Sequence, residues 1–127
     1  MGKMSRNKGA AAEREVAKLL AGALGTEITR NLDQTRDGGY DLKGLNVALE
    51  VKRCEQLAIN NWWAQAVRQG AESRKVPALV YRQSRKPWRF RLHMRDLFED
   101  MEHIPHEDIE FTVEMELKAF VELLRDI

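Results

Sequence analysis

Two acids and a lysine are the residues of this chain best suited to chemistry. The segment 41–52, DLKGLNVALEVK, has Asp41 ahead of a strand-like run that ends in Glu50, Val51 and Lys52. Side chains alternate across a β-strand, so Glu50 and Lys52 emerge on one face. A two-residue turn at 45–46 would set Asp41 directly opposite Glu50. We therefore expect two carboxylates and one ammonium group to share a site.

Such a site suits metal-dependent hydrolysis of a phosphodiester, which needs an oriented water, charge neutralisation and help for the departing oxygen. Mg²⁺ prefers oxygen ligands and usually binds one or two carboxylates together with waters and substrate phosphate. We predict that Asp41, Glu50 and the backbone carbonyl of Val51 bind Mg²⁺, with Mn²⁺ as a substitute. Lys52 would hold the attacking water or offset charge on the phosphate. The plain alternative is a solvated Glu-X-Lys triplet on an edge strand.

A third acid, Glu13, strengthens this interpretation. An amphipathic helix is predicted from about Asn7, a good N-cap residue, to Leu24 before Gly25. Its apolar residues have the spacing of one buried stripe, which comprises Val16, Leu19, Leu20, Ala23 and Leu24. At about 100 degrees per residue, Glu13 falls on the inner side of this stripe. It would reach the site as a catalytic group or an additional metal ligand.

The remaining pattern predicts a mixed α/β fold. Five short strands are expected, at 27–31, 40–44, 47–54, 76–83 and 88–93. Three more helices are expected, at 60–75, 95–102 and 113–125. The helix over 60–75 would bury Trp62 and Trp63, which favours a core or dimer role over base stacking. This order predicts a central mixed sheet of about five strands flanked by helices.

Composition indicates one soluble domain: 127 residues, 43% hydrophobic and 32% charged. We expect a core over residues 1–93 and an acidic helical extension over 94–127 packed on the same domain. The absence of an apolar run of about 20 residues, of a signal-peptide core and of any cysteine besides Cys54 predicts a cytoplasmic protein without a membrane segment. No Gly-rich phosphate loop opens a helix, and we expect no small-molecule cofactor.

The net charge of +1 conceals two halves of opposite sign. Residues 1–91 hold 18 Lys and Arg against 9 Asp and Glu, whereas residues 92–127 hold 3 against 11. A basic body can bind a polyanion locally, because phosphate contacts depend on the nearby field rather than on net charge. A solvated charged surface is the alternative.

These residues resemble the PD-(D/E)XK nuclease superfamily and, within it, Holliday junction resolvases of the archaeal and phage type. The segment 8–15, KGAAAERE, resembles that group's basic, glycine-containing helix start, which gives the catalytic role to Glu13. Asp41 and the EVK triplet at 50–52 resemble the metal motif, although Tyr40 stands where the superfamily name implies proline. The segment 88–90, WRF, resembles an aromatic and basic strand late in the core.

The resemblance covers about residues 6–93 and implies a restriction-endonuclease-like fold. It also implies a homodimer whose two sites cut opposed strands of a four-way junction and leave 5′-phosphate ends. Two further interpretations remain open: a nuclease of this fold that acts on flaps, nicks or duplex DNA, and a non-catalytic DNA-binding assembly protein. A small domain whose basic half binds RNA or protein is the least specific alternative.

Candidate DNA contacts flank the predicted site. The cationic candidates lie at the start of the first helix, beside the metal motif or at the tip of the second hairpin: Arg6, Lys8, Arg30, Arg36, Arg53, Arg85 and Lys86. Gln65 resembles a helix glutamine that follows the Glu-X-Lys strand in several nucleases of this group. The helical wheel sets it opposite the buried stripe, so surface polarity explains it nearly as well.

Overall fold

The computed structural model describes residues 3–33 and 39–127, with side chains from Gly9 onward. The helices in these ranges are α1 (Lys3–Leu24), α2 (Ile59–Ser73) and α3 (Leu117–Leu124). The strands are β1 (Thr29–Arg30), β2 (Leu42–Lys43), β3 (Val47–Arg53), β4 (Val76–Arg82), β5 (Arg89–His93) and β6 (Thr112–Met115). Three short 3₁₀ turns lie between β5 and β6.

The main sheet has the strand order β3-β4-β5-β6 and is mixed, as predicted. β3 and β4 are parallel and joined by α2, whereas the other two pairings are antiparallel. β1 and β2 pair with each other in a separate two-stranded sheet. The main sheet therefore has four strands, against about five expected, and β3 lies at its edge.

Helices cover both faces of the main sheet. On one face, β-strand residues such as Val51 and Phe90 belong to one buried cluster with residues of α1 and α3, including Leu20 and Phe120. The opposite face carries Leu79 and Tyr81, which pack against the inner side of α2. The buried residues of α2 are Trp62, Trp63, Ala66, Val67 and Gly70. The predicted core role of the tryptophans is confirmed.

Helix α1 differs from its prediction in start and in buried face. It begins at Lys3, so Asn7 lies inside the helix and is not its N-cap. The buried stripe comprises Ala12, Val16, Ala17 and Leu20. Leu19, which was predicted to be buried, is 38% exposed, and Ala23 is also exposed. Ala12 and Ala17 have small side chains, which let this side of the helix approach the sheet closely. The buried face is therefore turned around the helix axis relative to the predicted one.

The segment 94–127 contributes more than a helical extension. The predicted helix over 95–102 is replaced by 3₁₀ turns, and Val113, predicted to lie in the last helix, lies in β6 opposite Leu92. Residues 112–115 alternate so that Val113 and Met115 share one face of the strand, which suits a sheet edge. The helix begins only at Leu117, and its Phe120 stacks on Phe90 with ring centroids 4.4 Å apart.

Within the described ranges, no helix has the length and apolar character that crossing a membrane requires.

We expect residues 94–127 to unfold together with residues 1–93, because Phe120 fills the common core. Phe120→Ala should lower the free energy of unfolding by about 3–5 kcal/mol in a single cooperative transition. Phe98→Ala is the matched control, since Phe98 is 49% exposed, and should change stability by less than about 0.5 kcal/mol. Chemical denaturation followed by circular dichroism measures both. Two separate transitions, or equal losses in the two variants, would contradict this expectation.

Candidate active site

Asp41 lies against the open edge of β3. Its backbone N–H donates to the Leu49 carbonyl at 2.9 Å, and its Oδ2 accepts a hydrogen bond from the Val51 N–H at 2.7 Å. These two bonds flank Glu50, so Asp41 lies opposite Glu50 as predicted, but the predicted hairpin is wrong because β2 pairs with β1 and not with β3. The connection between β2 and β3 has three residues rather than the two that the hairpin would need, and it begins with Gly44.

Gly44 sets the path of this connection. Its φ is +103°, and a Cβ atom there would lie 2.4 Å from the backbone oxygen of Glu27. Only glycine adopts this conformation without strain, and only glycine allows the approach. The turn thereby keeps β2 paired with β1 while the chain continues into β3.

Glu50 and Lys52 emerge on the face of β3 that α2 covers. Glu50 is 2% exposed, and its Oε2 accepts a hydrogen bond from Gln65 Nε2 at 2.7 Å. Lys52 Nζ lies 3.5 Å from the same oxygen. Gln65 is therefore bound to an acid of the site rather than being a surface residue opposite the core. The other oxygen, Glu50 Oε1, is buried without a hydrogen-bond partner among the described residues.

Burial raises the pKa of both carboxyl groups. The pKa of Asp41 is raised to about 8, first by loss of hydration and then by the charge of Glu50, against the opposing effect of the Val51 N–H. Burial also raises the pKa of Glu50, although Lys52 opposes the shift. At neutral pH the pair therefore favours holding a proton between its oxygens, or a cation in the proton's place.

Glu13 acts on this pair mainly through its charge. Its carboxylate accepts a hydrogen bond from Arg30 Nε at 2.8 Å, and its charge helps to raise the pKa of both Asp41 and Glu50. In the part of the chain that the structure describes, no three side chains of Asp, Glu, His or Cys form a metal-binding group. The structure therefore does not join Glu13 to the pair as a third metal ligand.

The donor set fits a small, hard divalent cation. Asp41 and Glu50 offer carboxylate oxygens, and Glu50 Oε1 is buried without a partner among the described residues. The Val51 carbonyl projects from the same strand edge as the Val51 N–H that binds Asp41, because both groups of one residue point to the same side of a strand. Oxygen ligands of this kind are those that Mg²⁺ and Mn²⁺ accept.

The predicted DNA contacts are spread around this site. Arg30 lies in β1 opposite Leu42 and is bound to Glu13. Arg53 ends β3 beside Arg82, and the exposed Arg85 and Lys86 crown the tip after β4. Because β3 and β4 are parallel, that tip lies at the same end of the sheet as Lys52. Three further predicted contacts lie outside the described residues: Arg36, and the side chains of Arg6 and Lys8.

One polar residue beside the site, Asn31, was not predicted as a functional residue. It is buried and hydrogen-bonded to the backbone on both sides of Asp41. An asparagine between a short strand and an Asp33-containing turn is typical of ordinary loops. Asn31 differs from an ordinary loop asparagine only because β1 lies close to Asp41, and that closeness was not predicted.

Comparison with known proteins agrees with this geometry. Residues 4–124 match the family described as "Phage putative PDDEXK endonuclease". No curated protein matches the chain. Among solved structures, the chain is similar to Hjc, a Holliday junction resolvase from the archaeal hyperthermophile Archaeoglobus fulgidus, with a TM-score of 0.57 and 18% identity over 91% of this chain and 96% of the other.

At that identity the structural likeness shows the fold, and it confirms the predicted restriction-endonuclease-like core. The family match spans nearly the whole chain and carries the assignment further. The chain belongs to the family of phage PD-(D/E)XK endonucleases.

Proposed function

We propose that this endonuclease uses Mg²⁺, bound by Asp41, Glu50 and the Val51 carbonyl, to hydrolyse DNA phosphodiesters, and that its substrate is a four-way junction. One observation carries the hydrolytic part of the proposal. Two buried carboxyl groups with raised pKa values meet at a strand edge beside Lys52. Without a bound cation, this arrangement would lower the stability of the fold, because each buried charge needs compensation.

Hydrolysis requires that a water oxygen form a bond to phosphorus while the bond to the 3′ oxygen breaks, which leaves a 5′-phosphate and a 3′-hydroxyl. The bound Mg²⁺ would supply Lewis-acid polarisation of the phosphate and a lower pKa for the attacking water. Lys52 is 25% exposed at its side chain, so its ammonium can face the substrate while it stays 3.5 Å from Glu50. It would orient the water or neutralise the charge that grows on the phosphate oxygens.

Glu13 and Arg30 would act together at the side of the site. The guanidinium of Arg30 uses its Nε on Glu13 and carries four more N–H donors. These donors suit a phosphate next to the scissile bond. Glu13 would hold Arg30 in this orientation and add negative charge that favours a bound cation.

The resolvase part of the proposal has two supports. The fold is similar to that of Hjc, which is described as a Holliday junction resolvase. The end of the sheet that carries Lys52 also carries Arg53, Arg85 and Lys86, and neither residue of the exposed tip has an ion-pair partner among the described residues. We propose that these cations hold backbone phosphates of the junction arms and that the enzyme acts as a homodimer, with one site for each of two opposed strands.

Removal of the charges at the site should greatly slow cleavage without unfolding the protein. Lys52→Met should lower kcat on a labelled four-way junction with Mg²⁺ by about 100- to 1,000-fold, because it removes one charge-stabilising donor. Glu50→Gln should lower it at least as much. Arg125→Met and Glu102→Gln, which change exposed residues, are the matched controls. Undiminished cleavage by Glu50→Gln would show that Glu50 is not a ligand of the catalytic metal.

Binding of the cation should release protons, because the carboxyl groups must be ionised to bind it. The pKa of Asp41 is about 8 in the metal-free protein, so Mn²⁺ affinity should rise with pH and level off above about pH 8. Calorimetry at neutral pH in two buffers of different ionisation enthalpy measures the released protons. Proton release should disappear in Asp41→Asn. An affinity independent of pH would show that the pair does not bind the cation.

Substrate choice can be separated from chemistry. A four-way junction should be cut in preference to a duplex of equal length, with paired nicks in opposed strands and 5′-phosphate ends. Competition between the two DNAs, with product mapping on sequencing gels, measures the preference, and sedimentation equilibrium measures the dimer. Equal cleavage of duplex, flap and junction would leave an endonuclease but remove the resolvase assignment. Tight, metal-independent binding without nicking would instead favour a DNA-binding assembly protein.

A further inference from the structure

Asn31 is a buried polar residue that the proposed chemistry does not use. It is 3% exposed and directly follows β1. Its side-chain Nδ2 donates to the Tyr40 carbonyl at 2.9 Å, and its backbone N–H donates to the Asp41 carbonyl at 2.8 Å. One residue therefore binds both carbonyl groups that flank the Cα atom of Asp41.

The orientation of the Asn31 amide follows from its second bond. Its Oδ1 accepts a hydrogen bond from the Asp33 N–H at 3.2 Å, which leaves Nδ2 as the group that faces the Tyr40 carbonyl. A buried amide with both ends bonded is fixed in place, because breaking either bond leaves a buried polar group unpaired.

The other bonds of Asp41 run to β3. Its N–H donates to Leu49, and its carboxylate accepts from Val51. With the two bonds from Asn31 added, the backbone of Asp41 is held on both sides. These four bonds fix the backbone on both sides of the Asp41 Cα atom, and with it the direction in which the carboxylate leaves the chain.

Tyr40, the residue before Asp41, is itself held by its neighbours. A proline before the acid would fix one backbone torsion by its ring, whereas tyrosine leaves that torsion free. Here Tyr40 is held by two other contacts: Asn31 Nδ2 donates a hydrogen bond to the Tyr40 carbonyl, and the Lys75 ammonium lies over the Tyr40 ring, 4.4 Å from its centre. The peptide between Tyr40 and Asp41 is thereby held by its neighbours.

We propose that Asn31 is a positioning residue, which holds the peptide that carries Asp41 so that the carboxylate stays beside Glu50 at the edge of β3. This inference rests on the proposed function only in assigning Asp41 to cation binding. Loss of an outer contact of this kind typically lowers metal affinity or activity by about 10- to 100-fold.

Two variants and one control test the proposal. Asn31→Ala removes both side-chain bonds. Asn31→Ser keeps an oxygen that can accept from Asp33 but is too short to reach the Tyr40 carbonyl. Asn46→Ala is the matched control, since the Asn46 amide also donates to backbone carbonyls, those of Leu124 and Ile127, away from Asp41.

The first measurement needs neither metal nor DNA. Hydrogen exchange of the Val51 amide reports on its bond to the Asp41 carboxylate, and both Asn31 variants should exchange it faster while Asn46→Ala does not. In the same variants, Mn²⁺ affinity measured by calorimetry should fall by about 10-fold, and kcat by about 10- to 100-fold with little change in KM.

The proposal is overturned if the Asn31 variants lose only thermal stability, as is expected of Asn46→Ala, and retain wild-type Val51 exchange, Mn²⁺ affinity and kcat. It is also overturned if Asn31→Ser behaves as wild type, because the turn with Asp33 would then be the whole role of the residue. If the wild-type protein neither binds Mn²⁺ nor cuts DNA, the proposed function fails. Val51 exchange in the metal-free protein still decides the role of Asn31 in that case.

Discussion

The arrangement of the chain around β3 depends on one constraint, the burial of two carboxyl groups side by side. Removing a carboxylate from water is costly, and a second one nearby adds repulsion. Each neighbouring element offsets part of that cost: β3 donates the Val51 N–H to Asp41, and α2 donates the Gln65 amide to Glu50. Lys52 adds an opposite charge at 3.5 Å. A divalent cation bound between the two carboxyl groups would offset the rest of this free-energy cost.

The position of β3 at the edge of the sheet follows from the same constraint. In an inner strand, the Val51 N–H would be taken by a neighbouring strand and could not bind Asp41. Open edges invite pairing with other chains, and proteins usually cover or interrupt them. Here the chain around β1 and β2 lies over the edge, tied to it through the Asp41 N–H and the Leu49 carbonyl. A separate two-stranded sheet in place of a fifth strand thus covers the edge while leaving the Val51 N–H to Asp41.

Much of this could be predicted from local pattern, and the failures have a common cause. Alternation along β3 predicted that Glu50 and Lys52 share a face, and helical spacing predicted the buried side of α2. The pairing of β2 with β1 instead of β3 could not be predicted, because it depends on the close approach of Gly44 to the backbone of Glu27. Gln65 and Asn31 act through partners 15 and 9 residues away, Glu50 and Tyr40. Strand β6 is only four residues long, and its few apolar residues also fit the helical spacing of α3, which follows it in the chain.

Several acidic residues of the segment 94–127 are engaged in contacts within the protein. Glu114 is bound to Arg91 at 2.8 Å across β5 and β6, and Asp96 lies 2.8 Å from His106. Part of the acidity is therefore used to join this segment to itself and to the sheet. The cations at the tip after β4 have no such partners among the described residues, and they lie at the same end of the sheet as Lys52, although the whole chain is nearly neutral. Because phosphate binding follows the local field, net charge is a poor guide to the substrate of this chain.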